Sequence, residues 1–269
     1  MIKTAFLLLS LLLYSTLRIE AQAEVIYLEN PSFEDVARAG KTPASWADCG
    51  HSQESPPDVQ PYGGFNVVRP AKDGRTYVGM VTRDNKTWEA LAQRLSKPLQ
   101  KDACYKFSLF ACKSSVYISP TKKNQSQPTN FSKGIILRIW GGNHYCDRAE
   151  LLDEIKTPVE HIDWQNYEFE LKPKKGDFNF ICIEAYYKTP TFNFYNGNIL
   201  IDKASEIYSC DIPTDELVEQ DPVVVKEPVV AAGEQKDTLE KRPNTVKPLP
   251  NTSTQNLTIQ DKGNFDPST

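Results

Sequence analysis

The sequence predicts an all-β protein: an antiparallel jelly-roll β-sandwich with a disordered C-terminal tail. Eight or nine short segments alternate apolar with polar residues or are rich in residues that favour strands. Clusters of glycine, proline and polar residues separate these segments, as expected for turns. The chain has neither a strand-helix-strand rhythm nor an internal repeat. These three observations favour a sandwich or jelly roll over a helical or α/β fold.

Residues 1–23 have the layout of a secretory signal peptide. Lys3 precedes an apolar run from Ala5 to Leu13, and small residues around Ala23 supply a cleavage site. The apolar run is shorter than the roughly 20 residues of a membrane helix, and no later run is long enough to form a transmembrane segment. We therefore expect residues 24–211 to form one domain that is secreted, periplasmic or on the cell surface.

The strands are predicted from local patterns along this domain. Segment 88–95 also fits one face of a helix, but its neighbours favour a strand. Segment 104–112 has the clearest alternation, with Tyr105, Phe107 and Leu109 on one side, so we expect it to be a central strand. The predicted strands are 24–28, 76–81, 88–95, 104–112, 134–140, 164–171, 178–187, 199–202 and a short one around 207–208.

The stretches between these strands are predicted to be irregular. Residues 35–66 contain many glycines and prolines and form a long surface excursion, either a recognition loop or a variable insertion. Residues 119–132 form a polar loop, and the stretch through Leu151 and Leu152 is a partly helical or irregular connection. After Asp211 prolines are scattered among charged and polar residues, so residues 212–269 are predicted to be a disordered tail.

Six cysteines follow the signal sequence, in a compartment where disulfides persist. None forms the Cys-x-x-Cys pair that zinc sites favour, so disulfides or buried thiols are expected, with about 15 connectivities if all pair. Cys182 lies inside the apolar run 180–183 and is as well explained as a core residue.

Charge and motifs bound the function. The formal net charge of −4 is mild, and much of the acidic excess falls in the tail, so nothing suggests a nucleic-acid partner. The chain has three histidines and no nucleophile elbow, metalloprotease pair, phosphate loop or dinucleotide fingerprint. The acidic pair Asp153-Glu154 is better explained as a solvated face than as an acid/base pair. We therefore predict that the protein is not an enzyme.

Two loops are candidate ligand-binding sites. Trp140, Asn143, His144 and Tyr145 surround a Gly-Gly turn at a strand end, a combination that can stack on a sugar ring and bond its hydroxyls. The alternative for Trp140 is a core residue. The second loop, 83–88, contributes Asp84 and Trp88, and its alternative is a plain hairpin turn.

The order of several motifs resembles a known family. The motifs are Asn30-Pro31-Ser32-Phe33-Glu34, Trp46, Leu95-x-x-Pro98-Leu99 leading into Cys104-Tyr105-x-Phe107-x-Leu109, Trp164-x-x-Tyr167-x-Phe169 and Ile199-Leu200-Ile201-Asp202. Over residues 24–210 they resemble the family 4/9 carbohydrate-binding modules, galactose-binding-like jelly rolls of secreted or surface bacterial proteins. The resemblance implies a structural calcium ion held by Glu34 and Asp202, whose hard oxygen donors suit that cation. The six cysteines and the long loop after Trp46 depart from the family pattern.

These observations lead to one expected function and one alternative. The expectation is a noncatalytic carbohydrate-binding module that binds a glycan or polysaccharide. The alternative is a surface structural or adhesion protein that keeps the fold, binds no sugar and has a cell-surface protein as its partner.

Overall fold

A computed structural model describes residues 25–122 and 124–211, and all of them fall within the compact unit Met1–Gln220. The predicted signal peptide and the predicted disordered tail lie outside the described residues. The described residues form strands, turns and irregular connections, so the predicted all-β class is confirmed. None of them forms a helix that is long and apolar enough to cross a membrane.

Two large antiparallel sheets make up the sandwich. In the seven-stranded sheet the order is β1-β14-β6-β13-β4-β3, and β11 also pairs with β6. Its strands are β1 Val25–Ile26, β3 Asp58–Gln60, β4 Tyr77–Thr82, β6 Tyr105–Cys112, β11 Gln165–Leu171, β13 Gly197–Asp202 and β14 Ile207–Ser209. In the five-stranded sheet the order is β10-β9-β12-β5-β2. Its strands are β2 Ala47–Asp48, β5 Ala90–Leu99, β9 Ile136–Gly142, β10 Glu150–Glu154 and β12 Phe178–Tyr186.

The main core lies between these two sheets. As predicted, β6 is central, and its residues Tyr105, Phe107, Leu109 and Ala111 all point into the core. On β12 the inward positions alternate in the same way, beginning at Ile181. Burial of these alternating apolar side chains fixes the register, because a shift by one residue would expose them all.

A second, smaller core covers the outer side of the seven-stranded sheet. On β4, Val78 and Met80 face the main core, whereas Tyr77 and Val81 face this second core. A two-stranded hairpin of β7 Ile118–Thr121 and β8 Asn124–Asn130 follows the buried Tyr117. The prediction of a polar loop at 119–132 was therefore wrong. The hairpin is polar because it lies at the surface, which is why its strands give no apolar alternation.

Other short strands were also not predicted. Leu151 and Leu152 lie in β10, which pairs with β9, and the expectation of a partly helical or irregular connection there was wrong. The excursion 35–66 contains β2 and β3, which pair with β5 and β4. Strands of two to five residues take their conformation from the neighbour that they pair with, not from local pattern. The ambiguous segment 88–95 is confirmed as a strand, within β5.

Both expectations for the cysteines are realised. Disulfides join Cys49 to Cys146 and Cys104 to Cys210. Cys112 and Cys182 are buried free thiols, and burial raises the pKa of each to about 12. These two thiols are therefore packing residues with little thiolate character at neutral pH.

Candidate functional site

The outer face of the five-stranded sheet collects aromatic and charged side chains. On β12, Ile183 points into the main core, so Glu184 lies on the opposite face. Arg138 of β9 is paired with Glu184 in the register, and Trp140 lies two residues further along β9. Tyr186 follows on the same face of β12. Neighbouring strands thus bring these side chains to one surface.

Glu184 is the centre of this surface and is only 2% exposed. Its Oε1 accepts hydrogen bonds from Trp88 Nε1 (2.8 Å) and Arg148 Nε (2.7 Å). Its Oε2 accepts one from Trp140 Nε1 (2.9 Å), and Arg138 Nη1 lies 4.0 Å from the same oxygen. A buried carboxylate needs such partners, and here they fix the orientation of two indole rings.

The rings around Glu184 form a surface that we call the aromatic platform: Trp88, Trp140 and Tyr186, each partly exposed. Trp88 meets Tyr186 edge to face, with ring centroids 5.0 Å apart. His51 also packs edge to face against Trp88, with ring centroids 4.7 Å apart. The guanidinium of Arg138 lies 3.6 Å from the ring centroid of Tyr186, a cation–π contact. The platform therefore combines flat apolar rings with hydrogen-bond donors.

The aromatic contacts continue from the platform to a rim loop. Tyr186 packs against Tyr187, and Tyr187 against Phe194, with centroid distances of 5.3 and 5.1 Å. The same loop carries Phe192, the most exposed large apolar side chain of those described, at 87%. Tyr187 is itself buried and anchors the loop by donating a hydrogen bond to Thr87 O (2.9 Å).

The Cys49–Cys146 disulfide covers the middle of the sheet face. Cys49 and Cys182 belong to one buried apolar cluster, with Cys146 and Trp140 packed against it. Arg148 adds a hydrogen bond of 2.9 Å from Nη2 to the carbonyl of Cys49. The two loops joined by this disulfide therefore cover the middle of the outer sheet face. The platform lies at the edge of the covered area.

Beside the covered area lie three predicted ligand-binding residues, Asn143, His144 and Tyr145, and all three are exposed. The Asn143 side chain is used structurally, because its Nδ2 donates to Asp177 O (3.0 Å) and its Oδ1 accepts from Asn179 N (3.2 Å). Tyr145 packs edge to face on Phe180, with centroids 4.8 Å apart. His144 and Tyr145 are therefore better placed than Asn143 to contact a ligand, because the polar atoms of the Asn143 side chain are bound to Asp177 and Asn179.

The structure brings the predicted Trp88 and Trp140 together through Glu184. Asp84 lies apart from them in the β4–β5 turn, where its N–H donates to Asn196 Oδ1 (2.9 Å). Sequence reasoning missed Tyr186 of the platform. It also missed the charged residues that contact the platform, which are Glu184, Arg138 and Arg148. A usable signal was the alternation of Cys182, Glu184 and Tyr186 in a strand whose intervening residues are apolar.

A second group of titratable side chains is enclosed at the end of β4. Arg83 forms an ion pair with Glu89, and its Nε lies 3.6 Å from Glu54 Oε2. Nearby, the Tyr117 hydroxyl donates a hydrogen bond to Asp58. Burial raises the pKa of Asp58 to about 6 and that of Glu89 to about 8, and the charge of Arg83 opposes the rise at Glu89. Both acids are almost fully buried, so their role in this conformation is structural.

The predicted calcium ligands, Glu34 and Asp202, hold one loop, 72–76, from its two ends. Asp202 Oδ2 accepts hydrogen bonds of 2.7 and 3.0 Å from the first two N–H groups of this loop. Glu34 Oε1 accepts two of 2.7 and 2.9 Å from the last two. The turn that carries Glu34 is also bound to the end of β13, because Ala204 N donates to Pro31 O (2.9 Å).

The carboxylate groups around Asp202 are of the type that binds a hard cation. Asp202 is fully buried, and its pKa is raised to about 6 by burial and by the nearby charge of Asp73, against the hydrogen bonds that its carboxylate accepts from backbone N–H groups. The Ser32 hydroxyl donates a hydrogen bond to the Asp73 carboxylate. Calcium prefers such oxygen donors, and its charge would relieve the repulsion between the acids. Among the described residues, Glu34, Asp73 and Asp202 do not bring three carboxylate oxygen atoms within 4.8 Å of one another, so the calcium ion stays a prediction.

One further cluster has the composition of a metal site but not its chemistry. Within residues 25–122 and 124–211, the group of three metal-ligating side chains with ligand atoms within 4.8 Å is Cys104, Glu170 and Cys210. Its two cysteines are bonded to each other, so their sulfur atoms are not thiolate ligands.

Comparisons with known proteins give similar folds and no family. No protein-family model and no curated protein matches the chain. A solved cyclase from Fischerella sp. TAU is 12% identical, with a TM-score of 0.45, covering 72% of this chain and 100% of its own. A family 61 carbohydrate-binding module in complex with β-1,4-galactotriose is 17% identical, with a TM-score of 0.34, covering 67% and 96%. The xylan-binding CBM22-1 domain of Paenibacillus barcinonensis Xyn10C is 10% identical, with a TM-score of 0.37, covering 71% and 97%.

These similar structures include carbohydrate-binding modules, the class of jelly roll that the sequence resembles. They also include a cyclase. With TM-scores below 0.5 they carry no argument for a ligand.

Proposed function

We propose that the protein is a noncatalytic carbohydrate-binding protein whose glycan stacks on the aromatic platform. The observation that carries the proposal is the fixed geometry of Trp88 and Trp140, whose indole N–H groups are both bound by Glu184. Rings that are held in place before the ligand arrives lose little conformational entropy on binding. A sugar ring offers an apolar face for such rings and hydroxyl groups for nearby donors.

Charged and polar groups at the platform edge suit the hydroxyl groups of a sugar. Arg138 is held over Tyr186 and donates from Nη2 to Thr189 Oγ1 (2.9 Å), which fixes its guanidinium group. His144 and Tyr145 are exposed on the adjacent loop and supply further donors and acceptors. Aromatic stacking with a few placed polar groups is the usual composition of a small-molecule site.

Affinity electrophoresis and titration calorimetry on a panel of neutral polysaccharides, with and without calcium, test the proposal. We expect one or more polysaccharides to retard the full chain and Trp140→Ala to weaken binding by about 30-fold or more, the effect of losing a central aromatic contact. His144→Ala and Tyr145→Ala should weaken it less, since both lie at the edge.

Tyr27→Ala is the matched control, because Tyr27 is 54% exposed and belongs to neither the platform nor its loops. Its binding should equal that of the unmodified chain. The proposal fails if no polysaccharide retards the intact protein, or if Trp140→Ala and Tyr27→Ala bind equally well.

We also propose a structural calcium ion at Glu34, Asp73 and Asp202, and a secreted, periplasmic or cell-surface location. The buried carboxylate of Asp202, whose pKa is raised by burial and by the nearby charge of Asp73, supports the ion. The two disulfides support an oxidising compartment.

A surface structural or adhesion protein is the second candidate. The observation that favours it is the closure of the sheet face by the loops joined at Cys49–Cys146. Such a protein would bind a cell-surface protein partner, and neither Trp140→Ala nor Tyr145→Ala would alter that binding.

A further inference from the structure

The side of the sandwich opposite the platform carries a groove of about 340 Å³. It lies on the solvent side of the second core, and none of its lining residues belongs to the platform. Its three walls are the loop 66–70, the turn 113–116 that follows β6, and Ile162 before β11. A hollow of about 230 Å³, which Tyr62 helps to line, adjoins it and shares Asn66 and Val68 with it. The volume is that of a small-ligand site.

The walls of the groove are held rigidly from behind. The loop 66–70 is fixed by Trp164 Nε1, which donates to Pro70 O (3.0 Å), and by the Tyr77 hydroxyl, which donates to Arg69 O (2.8 Å). The turn 113–116 is fixed by buried Asn198, whose Oδ1 accepts from Ser114 N (2.7 Å). A groove with fixed walls does not have to be ordered when a ligand binds.

The segment that leads into the loop 66–70 contains residues with a strained backbone. Tyr62, Phe65 and Asn66 have φ angles of 64°, 57° and 59°, in the left-handed region. Asparagine tolerates this conformation, but bulky aromatic residues adopt it rarely. Strain of this kind persists where the surrounding structure enforces it and clusters at binding sites.

Two cationic side chains, Arg69 and Lys113, line the groove. The acidic residues with which they now pair would compete only weakly with an anionic ligand. Arg69 pairs with Asp163 at 3.1 Å, and Lys113 with Glu160 at 2.6 Å. Asp163 is 86% exposed and can turn into solvent, whereas Glu160 is 61% exposed and also accepts a hydrogen bond of 3.2 Å from Gly134 N. Ion pairs with exposed acids contribute little to stability, so a better placed anion can replace them.

The remaining lining is both apolar and capable of hydrogen bonding. Val68, Val116 and Ile162 are exposed apolar side chains beside the groove. Asn66 and Ser115 place an amide and a hydroxyl among them. Apolar patches suit the C–H face of a sugar ring, and the amide and hydroxyl suit its hydroxyl groups.

We propose that this groove is a second binding site, specific for an acidic saccharide of the uronic acid class. The carboxylate of the sugar lies between Arg69 and Lys113, and its ring lies against Val68, Val116 and Ile162. This site is independent of the neutral-glycan site proposed on the platform.

Titration calorimetry of the full chain with trigalacturonate tests the proposal, with the methyl-esterified trisaccharide as a ligand of the same shape and no charge. We expect the acid to bind at least tenfold more tightly than the ester, since a charge-assisted hydrogen bond is worth about one to two factors of ten. Arg69→Gln and Lys113→Gln should each remove most of that difference. Amide shifts in the NMR spectrum should move at Asn66, Ser115 and Ile162.

Lys156→Gln/Lys174→Gln is the matched control, because it removes two exposed lysines that also form weak surface pairs elsewhere. This variant should bind trigalacturonate as the unmodified chain does, and so should Trp140→Ala, whose only defect should be with neutral glycans. Equal binding of acid and ester, or full binding by Arg69→Gln/Lys113→Gln with an unchanged melting temperature, would overturn the proposal. Equal binding of an acidic hexapeptide would overturn the saccharide class and indicate a peptide partner.

Discussion

Replacing Cys49 and Cys146 together by alanine should lower the free energy of unfolding by about 4 to 5 kcal/mol. The disulfide separates residues 97 positions apart, and the chain entropy that a cross-link removes from the unfolded state grows with the length of the loop. Replacing both partners avoids leaving an unpaired thiol beside the buried Cys182. Urea denaturation without reductant, at constant m-value, measures the change.

The second disulfide, Cys104–Cys210, is a matched control because it spans 106 positions. The entropic costs of losing the two cross-links should differ by no more than about 0.1 kcal/mol. Cys49 is also buried in an apolar cluster, so its variant should lose a further amount for the cavity. Only Cys49→Ala/Cys146→Ala should also weaken glycan binding, because only this disulfide holds the loops beside the platform.

The reasoning is refuted by either of two results. In the first, Cys49→Ala/Cys146→Ala lowers the free energy of unfolding by less than about 1 kcal/mol, whereas Cys104→Ala/Cys210→Ala lowers it by the full amount of about 4 to 5 kcal/mol. This result would mean that the Cys49–Cys146 cross-link does not hold the loops. Equal effects of the two double variants on glycan affinity would separate the disulfide from the platform.

Three further predictions concern the buried acids and the loop 72–76. Because burial raises the pKa of Glu89 to about 8 and that of Asp58 to about 6, the folded state binds protons more tightly than the unfolded state. Stability should therefore fall as the pH rises from 5 to 8, and Glu89→Gln should flatten that slope in urea titrations; an unchanged slope would contradict the assignment. Calcium should raise the melting temperature, and Glu34→Ala and Asp202→Asn should abolish the calcium-dependent rise, whereas Tyr27→Ala should retain it; an equal rise in every variant would place the ion elsewhere. Gly74→Ala should cost about 1 to 3 kcal/mol, because Gly74 has a φ of +60° and a Cβ there would collide with Glu34 Oε1. Gly176→Ala is its control, since a Cβ there meets nothing within 4 Å, and equal losses would argue against the contact with Glu34.

The long strands could be predicted because they carry their own signal. β6 alternates over its whole length, and the same residues that alternate in the sequence are those buried between the sheets. β2, β3 and β10 could not be predicted in this way. Each is short, and its strand conformation comes from pairing with a neighbour that lies far away in the sequence.

The candidate site shows the same limit in its side chains. Trp140 and Trp88 could be selected as aromatic residues at strand ends, but nothing local indicates that they meet. They meet because the register of β12 between β9 and β5 brings Glu184 between them. The sequence likewise gave no separate sign of the groove at 66–70, which depends on how three loops pack over the second core.

Glu184 is the residue that connects the fold with the proposed function. Its three hydrogen-bond partners on Trp88, Trp140 and Arg148 lie 96, 44 and 36 positions away in the sequence. A carboxylate that is 2% exposed would be costly in a strand without them, so the strand tolerates the acid only because the sheet supplies these donors. The hydrogen bonds to Glu184 also restrict the rotation of the Trp88 and Trp140 side chains. The two indole rings are therefore ordered before a ligand binds. Glu184, whose burial would be unfavourable without these donors, thus orders the surface on which we expect the glycan to bind.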